Sequence, residues 1–265
     1  MTQTNTTTYS NPEQFLEQLE HIYKTITSNP NNATECRRLG DSLIYQAFKT
    51  VPIRISGLNN LPASPGHIFV LNHHKVHPFY TLANGFQITL DTHFLSALLA
   101  HHYPEVTSTR VVRTGRQEEQ AHKRYFDQFN FIMVTTKESG QATRANTKQS
   151  DQFQQFKQQA ESELKAGNNL ILCPEGTSYE CHESPGPFKS GAFRLALELE
   201  IEPYIIPVSI AHFDKVFDQF KPAMTIHNPI KLSDHVEKND REQLSEFVKS
   251  LNGKYHNFIE FTRNL

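Results

Sequence analysis

The 265-residue sequence predicts an α/β domain built on a mixed, mainly parallel sheet, with helices on both faces and a helical extension at its N-terminus. Two observations favour this fold class. Short, continuous apolar runs recur along the chain, as is typical of strands buried on both faces. Longer segments with apolar residues at helical spacing separate these runs, and such an alternation favours a sheet covered by helices.

The N-terminal extension is assigned to residues 1–50 and the α/β domain to residues 51–265. The first ten residues are polar and rich in Thr, and we expect them to be disordered. Asn11 and Pro12 predict a helix start, with Asn at the cap and Gln14 three residues later. The apolar face of this helix could dock on lipid, although packing against the domain explains it more simply. A second helix ends near Phe48.

The remaining elements follow the same alternation. Strands are predicted at residues 53–55, 67–71, 131–134, 170–173, 204–210 and 223–226, and helices at 150–167, 191–200 and 241–261. Ligands of such sheets bind beyond the carboxyl ends of the strands. The turns after Leu71 and Cys173 are therefore the first places to look for a site.

Composition excludes several function classes. The net charge of −2, with basic residues scattered along the chain, favours no nucleic-acid partner. Cys36, Cys173 and Cys181 form no CxxC pair, so neither a disulfide framework nor a zinc motif is expected. The reducing cytosol is the default setting. No signal peptide is evident, and no apolar stretch reaches the roughly 18 to 20 residues that span a bilayer.

The turn after the strand at 67–71 carries Asn72, His73 and His77. A histidine placed there can lie near a helix N-terminus, whose dipole favours the neutral imidazole that a general base needs. His73 and His77 are four residues apart and would share a face of a helix. A metal pair, as in a metal-dependent hydrolase, is thus a second reading, although no third ligand follows at motif spacing. A third reading gives these histidines a solvated or structural role.

The turn after the strand at 170–173 carries Glu175, Gly176 and Thr177. Lys189 and Gly191 follow at the start of a predicted helix. Backbone N–H groups and one ammonium could surround an anion at that point. By itself the Pro-Glu-Gly-Thr sequence could equally be an ordinary surface turn.

Taken in order, these motifs resemble the glycerolipid acyltransferases of the lysophosphatidate, PlsC-like type. That family carries Asn-His-x4-Asp, Phe-Pro-Glu-Gly-Thr-Arg-Ser, Phe-Lys-Lys-Gly and a Pro-Ile-Val-Pro-Val strand. The matching positions here are Arg54 to Leu58, Asn72-His73, Cys173 to Thr177, Phe188 to Ala192 and Pro203 to Val208. The resemblance covers roughly residues 52 to 258.

The resemblance implies acyl transfer from acyl-CoA or acyl-carrier protein to a hydroxyl (or amine) of a lipid or small-molecule acceptor. His73 would be the general base, and Asn72, Glu175, Gly176, Thr177 and Lys189 would bind substrate. No cofactor beyond the acyl co-substrate and no metal are expected. The expected location is the cytoplasm, with peripheral contact at the inner face of the membrane.

The chain departs from the family pattern at the motif aspartate. Counting forward from His73 reaches Pro78, and anchoring on the proline that follows the aspartate reaches His77 instead. His77 is therefore a candidate catalytic partner, and a distant carboxylate such as Asp91 is another. A catalytically impaired module that binds acyl chains or acyl-carrier protein is the alternative function. The motif arginine of the Glu-Gly-Thr turn is Ser178 here.

Overall fold

A seven-stranded sheet forms the centre of the computed structural model, which describes residues 11–28, 32–114, 119–134, 149–219 and 221–265. The strands are β1 (Arg54–Ser56), β2 (Ile68–Leu71), β3 (Ser108–Arg113), β4 (Ile132–Val134), β5 (Asn169–Leu172), β6 (Ile205–Ala211) and β7 (Ala223–Ile226). Their order is β1-β7-β6-β2-β5-β3-β4, and only the β6–β7 pair is antiparallel. The mixed, mainly parallel sheet confirms the predicted fold class.

Helices cover both faces of this sheet. The helices are α1 (Pro12–Thr27), α2 (Ala33–Phe48), α3 (Leu90–His102), α4 (Gln120–Phe129), α5 (Gln149–Lys165), α6 (Gly191–Glu198) and α7 (Arg241–Arg263). Helices α1 to α4 pack together on one face, and α5 to α7 pack on the other. Phe69 and Leu71 of β2 belong to the first core, whereas Ile68 and Val70 belong to the second. This alternation is the two-residue period of a strand buried on both sides.

The predicted start of α1 is confirmed. Asn11 caps the helix, Pro12 is its first residue, and Gln14 completes the capping box with Asn11. The apolar side of α1, including Phe15 and Leu19, is buried in the same core as the sheet. Packing against the domain therefore accounts for this face. The prediction of disorder for residues 1–10 lies outside the described residues.

Three elements of the structure were absent from the sequence prediction, namely α3, β3 and α4. Every residue from Leu90 to Leu99 of α3 is buried, so this helix has no polar face and no amphipathic period.

None of the helices in the described part of the chain has the length and apolar content that crossing a bilayer requires.

Strands β6, β2 and β5 are neighbours at the centre of the sheet and run parallel to one another. The loops after Leu71, Leu172 and Ala211 therefore leave the sheet at the same edge. Tyr255 of α7 stabilises this centre from one face. Its buried hydroxyl donates to the Val70 carbonyl oxygen at 2.6 Å and accepts from the Val208 N–H at 3.2 Å.

Replacing Tyr255 with Phe should destabilise the sheet. The substitution removes the buried hydroxyl that donates to the Val70 carbonyl oxygen, and a typical intramolecular hydrogen bond contributes about 1 kcal/mol to stability. We expect the free energy of unfolding in urea to fall by about 1 kcal/mol. Tyr204→Phe is the matched control, because Tyr204 is exposed and should give a wild-type value. Equal stability of the two variants would contradict the role of the Tyr255 hydroxyl.

Candidate active site

Asn72, the first residue after β2, connects its loop to strand β6 and to the loop after β5. Its side-chain oxygen accepts from the Ile210 N–H at 2.8 Å, and its amide nitrogen donates to the Ile210 carbonyl at 3.2 Å. The amide also donates to Ser184 Oγ at 3.0 Å. The side chain is fully buried, and the protein itself uses its hydrogen-bonding groups. Substrate contact by Asn72 stays a prediction, and its observed contacts position the histidine that follows.

His73 pairs with a carboxylate from α3. The Nδ1 atom of His73 lies 2.7 Å from Asp91 Oδ2. Asp91 is buried in the first turn of α3 and also accepts from the backbone N–H groups of His74, at 2.9 Å, and Thr92, at 2.6 Å. These bonds fix the carboxylate, which in turn fixes the ring orientation and leaves Nε2 as the remaining nitrogen of His73.

The two groups shift each other's pKa values. Burial acts to lower the pKa of His73, but the Asp91 charge and the hydrogen bonds of the ring with Asp91 and Cys173 outweigh it and raise this pKa well above its ordinary value. Burial acts to raise the pKa of Asp91, but the charge and hydrogen bond of His73 and the His74 N–H lower it below its ordinary value. The pair therefore favours an ionised Asp91 beside an imidazole that readily accepts a proton.

His77 has a different local role. It precedes a short 3-10 helix, Pro78–Tyr80, and its Nδ1 accepts from the Phe79 N–H at 3.2 Å. Neither Pro78 nor His77, the two positions reached by the motif count, supplies the observed partner of the His73 ring. A catalytic role for His77 stays a prediction. The carboxylate that contacts the His73 ring is Asp91 of α3.

Glu175 is buried beneath the second turn and holds the backbone of the first. Its Oε2 accepts from the His73 N–H at 2.5 Å, and its Oε1 accepts from the Gly186 N–H at 2.8 Å and from Ser184 Oγ at 3.3 Å. Burial raises the pKa of Glu175 to about 7, although these hydrogen bonds work in the opposite direction. The observed contacts of Glu175 are thus with the protein, and its substrate contact stays a prediction.

Gly176 allows Lys189 to lie across the turn. Gly176 has φ +71°, and a Cβ built there would overlap the Lys189 side chain. The Lys189 N–H also donates to the Pro174 carbonyl at 2.8 Å. Only a residue without a side chain fits both this backbone conformation and this close approach. The turn and the lysine thus form one structural unit.

The cavity beside these turns has a volume of about 550 Å³. It is lined by His73 of the first turn, by Gly176, Thr177 and Ser178 of the second turn, and by Lys189 from the segment before α6. Its apolar lining consists of Val76, Val111, Val112, Phe126, Val134, Phe156, Ile171, Leu172 and Ala192. A few polar groups converging on an apolar cavity are typical of a small-molecule or lipid site.

Two arginines of β3 line the same cavity and were missed as site residues, because β3 itself was not predicted. Arg113 forms a bidentate pair with Glu119 at 2.7 and 2.6 Å. Arg110 is buried, with its guanidinium 4.2 Å from the centre of the Phe131 ring. Its Nε and Nη1 atoms have no hydrogen-bond partner among the described residues.

Cys173 is a further residue whose role the sequence motifs did not indicate. Its side chain lines the cavity beside the His73 ring. Burial raises the pKa of this thiol, and the charge and hydrogen bond of His73 offset only part of that effect. A buried thiol of raised pKa stays protonated and is a poor nucleophile.

The family model described as Acyltransferase matches residues 52–211. The fold is similar to the crystal structure of the 1-acyl-sn-glycerophosphate (LPA) acyltransferase PlsC from Thermotoga maritima, with a TM-score of 0.52 and 16% identity. That alignment covers 92% of this chain and 93% of the other. The search of curated proteins gave no significant match.

The buried Glu175 makes the pH dependence of stability testable. Its pKa of about 7 in the folded protein exceeds the ordinary value of 4.5, so the folded state holds the proton more tightly. The stabilisation is complete below pH 4.5 and is lost as the pH rises towards 7, by about 3 kcal/mol. We expect Glu175→Gln to remove this part of the pH dependence, measured by urea unfolding across that interval.

The quantity to compare between the proteins is the slope of the free energy of unfolding against pH. Its absolute value is less informative, because the glutamine amide also places a donor opposite one of the two backbone N–H groups. Glu200→Gln, at an exposed side chain, is the matched control and should keep the wild-type slope. A Glu175→Gln protein with the wild-type slope would show that the carboxyl is not held protonated by burial.

Proposed function

Because the chain belongs to the acyltransferase family, we propose that it moves a fatty acyl group from acyl-CoA or acyl-carrier protein to a hydroxyl (or amine) of a lipid acceptor, with His73 as general base. The observation that carries this proposal is the 2.7 Å contact between His73 Nδ1 and the buried Asp91 carboxylate. That contact supplies the carboxylate that is missing from the motif position. It favours catalysis over a binding module that has lost its dyad.

The proposed reaction uses the remaining nitrogen of the His73 ring. Nε2 takes the proton of the acceptor hydroxyl while the hydroxyl oxygen attacks the thioester carbonyl carbon. The resulting tetrahedral intermediate expels the thiol sulfur, and Nε2 returns the proton to that sulfur. The products are an acyl ester and a free thiol. Asp91 stays ionised throughout, orients the ring and stabilises the transient imidazolium, as the carboxylate of a Ser-His-Asp triad does.

Transfer in one step is favoured over an acyl-enzyme on Cys173. The Cys173 thiol contacts His73, so an arrangement of Cys, His and Asp exists in outline. However, the raised pKa of this thiol keeps it protonated, whereas nucleophilic cysteines have lowered pKa values. Cys173 therefore lines the site and contacts the imidazole. The acceptor hydroxyl attacks the thioester of the donor directly.

The cavity supports a lipid as the acceptor. Its apolar lining suits an acyl chain, and it lies beside the same His73 that would activate the hydroxyl. Thr177 and Lys189 line the polar part and would contact the acceptor head group. The similar protein from Thermotoga maritima is described as acting on a lysophospholipid, 1-acyl-sn-glycerophosphate, which supports the same acceptor class here.

A lipid acceptor would place the reaction at a membrane surface, and we propose peripheral contact at the cytoplasmic face. The apolar side of α1 is buried against the domain, so the contact belongs to another surface. The intact protein should float with vesicles that contain lysolipid. Failure to float at any lipid composition would remove this part of the proposal.

The central test compares four proteins in transfer of a labelled acyl group from acyl-CoA or acyl-carrier protein to lysolipids, alcohols and amines. We expect His73→Ala to reduce transfer to background and Asp91→Asn to lower kcat by about 10⁴-fold. His77→Ala should stay within about tenfold of wild type, because the His77 ring nitrogen serves the local backbone. A loss in His77→Ala and none in Asp91→Asn would assign the dyad to the other partner.

Two further outcomes would contradict the proposal. If wild type and His73→Ala act identically on every acceptor, His73 is not the base. If the wild type binds acyl-CoA or acyl-carrier protein with normal affinity but never transfers the chain, the protein is a binding module.

Cys173→Ala should retain transfer, and trapping of a labelled acyl group on wild-type Cys173 would replace the direct mechanism with a two-step one.

A further inference from the structure

A second cluster of chemically reactive side chains lies behind the His73–Asp91 pair. His74 follows β2, Cys181 lies in the loop after β5, and Asp214 follows β6. The relative exposures of these residues are 2%, 5% and 3%, so all three are buried. A ligand atom from each lies within 4.8 Å of the other two. The three loops that carry the cluster are those that converge at the centre of the sheet edge.

Two atoms of this cluster lack hydrogen-bond partners among the described residues. They are His74 Nδ1 and Asp214 Oδ1, which face each other at 4.0 Å. That separation is too long for a hydrogen bond. A buried polar atom without a partner costs about 1–3 kcal/mol, and more when it is charged. Two such atoms pointing at the same space indicate that something fills the gap.

The other atoms of these side chains are already held. Asp214 Oδ2 accepts from the Cys181 N–H at 2.8 Å and from Lys215 Nζ at 3.2 Å, which leaves Oδ1 directed at the cluster. The backbone N–H of His74 donates to Asp91 at 2.9 Å. These contacts hold the Asp214 side chain and the His74 backbone in place, so the directions of the two unsatisfied atoms are fixed.

The His74 ring can present a lone pair at Nδ1. Its Nε2 lies 3.4 Å from the Asn72 amide nitrogen, whose two hydrogens go to shorter contacts with Ser184 and Ile210. Nδ1 is the ring nitrogen that faces Asp214 without a hydrogen-bond partner in the described part of the chain. An imidazole nitrogen binds a metal ion through such a lone pair.

We propose that His74, Cys181 and Asp214 form a binding site for one divalent metal ion of the Zn²⁺ type. An imidazole nitrogen, a thiolate sulfur and a carboxylate oxygen together match the ligand preferences of zinc. In a tetrahedral zinc site such atoms lie about 3.3–3.6 Å apart. The observed 4.0 Å between His74 Nδ1 and Asp214 Oδ1 reaches that range after a small rotation of the side chains. Water completes the fourth position.

The charges of the cluster agree with a divalent cation. A thiolate at Cys181 and a carboxylate at Asp214 supply two negative charges, which neutralise Zn²⁺ in a buried setting. The Cys181 sulfur would bind the ion as the thiolate, which gives up its proton on coordination.

This site differs from the His73–His77 pair considered from the sequence, and it departs from the expectation that no metal is bound. Its ligands come from three loops, and spacing along the chain cannot reveal them. A metal there would tie these loops together directly behind the backbone that carries His73. The site thus has a structural role beside the proposed catalytic dyad, and its existence does not depend on acyl transfer.

The test is metal binding by the full-length protein. We expect purified protein to hold one equivalent of zinc by elemental analysis, and Co²⁺ to replace it with an intense near-ultraviolet thiolate-to-cobalt absorption band. Cys181→Ser should lose that band, and Asp214→Asn should bind Co²⁺ at least about tenfold more weakly. Cys36→Ser is the matched control, because Cys36 is a buried cysteine on α2 and should keep the band.

Thermal unfolding gives a readout that does not require the variants to be stable. Added zinc should raise the melting temperature of metal-stripped wild type and of Cys36→Ser, because the ion binds only the folded state. Wild type that neither retains nor rebinds an equivalent of metal overturns the proposal, even if Cys181→Ser fails to fold. A thiolate band that persists in Cys181→Ser would overturn it equally.

Discussion

Two buried carboxylates hold the backbone that follows β2. Asp91 accepts from the His73 ring and from the His74 N–H, and Glu175 accepts from the His73 N–H. They come from different elements, one from α3 and the other from the turn after β5. The position of His73 therefore depends on both elements being in place. This convergence is possible because β2 and β5 are parallel neighbours whose carboxyl ends share one edge.

Most of the central sheet could be predicted from the sequence, because buried strands leave continuous apolar runs such as Ile68 to Leu71. The capped start of α1 could be predicted equally well from Asn11 and Gln14. Helix α3 was missed for a physical reason: its residues from Leu90 to Leu99 are all buried, so no polar face marks a helical period. Asp91 lies on that helix, and the sequence offered it as one candidate partner of His73. Because the helix itself was not predicted, the sequence could not place Asp91 rather than His77 beside the ring.

The candidate site was predictable only where its residues adjoin a strand. His73 and the Glu-Gly-Thr turn follow β2 and β5 directly, so their order along the chain predicted a shared site. Arg110, on the unpredicted β3, reaches the cavity only through strand order. Asp214 and Cys181 meet His74 because three loops fold over one edge. Spacing along the chain records none of these contacts, because they depend on the order of the strands in the sheet.

NMR of the His73 imidazole tests most directly whether the His73–Asp91 pair acts as a base. In wild type we expect a strongly downfield Nδ1 proton hydrogen-bonded to Asp91 and a ring pKa above the ordinary value. In Asp91→Asn that proton resonance should be lost and the ring pKa should fall. A His73 ring that titrates identically in both proteins, without such a proton, would show that Asp91 does not act on His73.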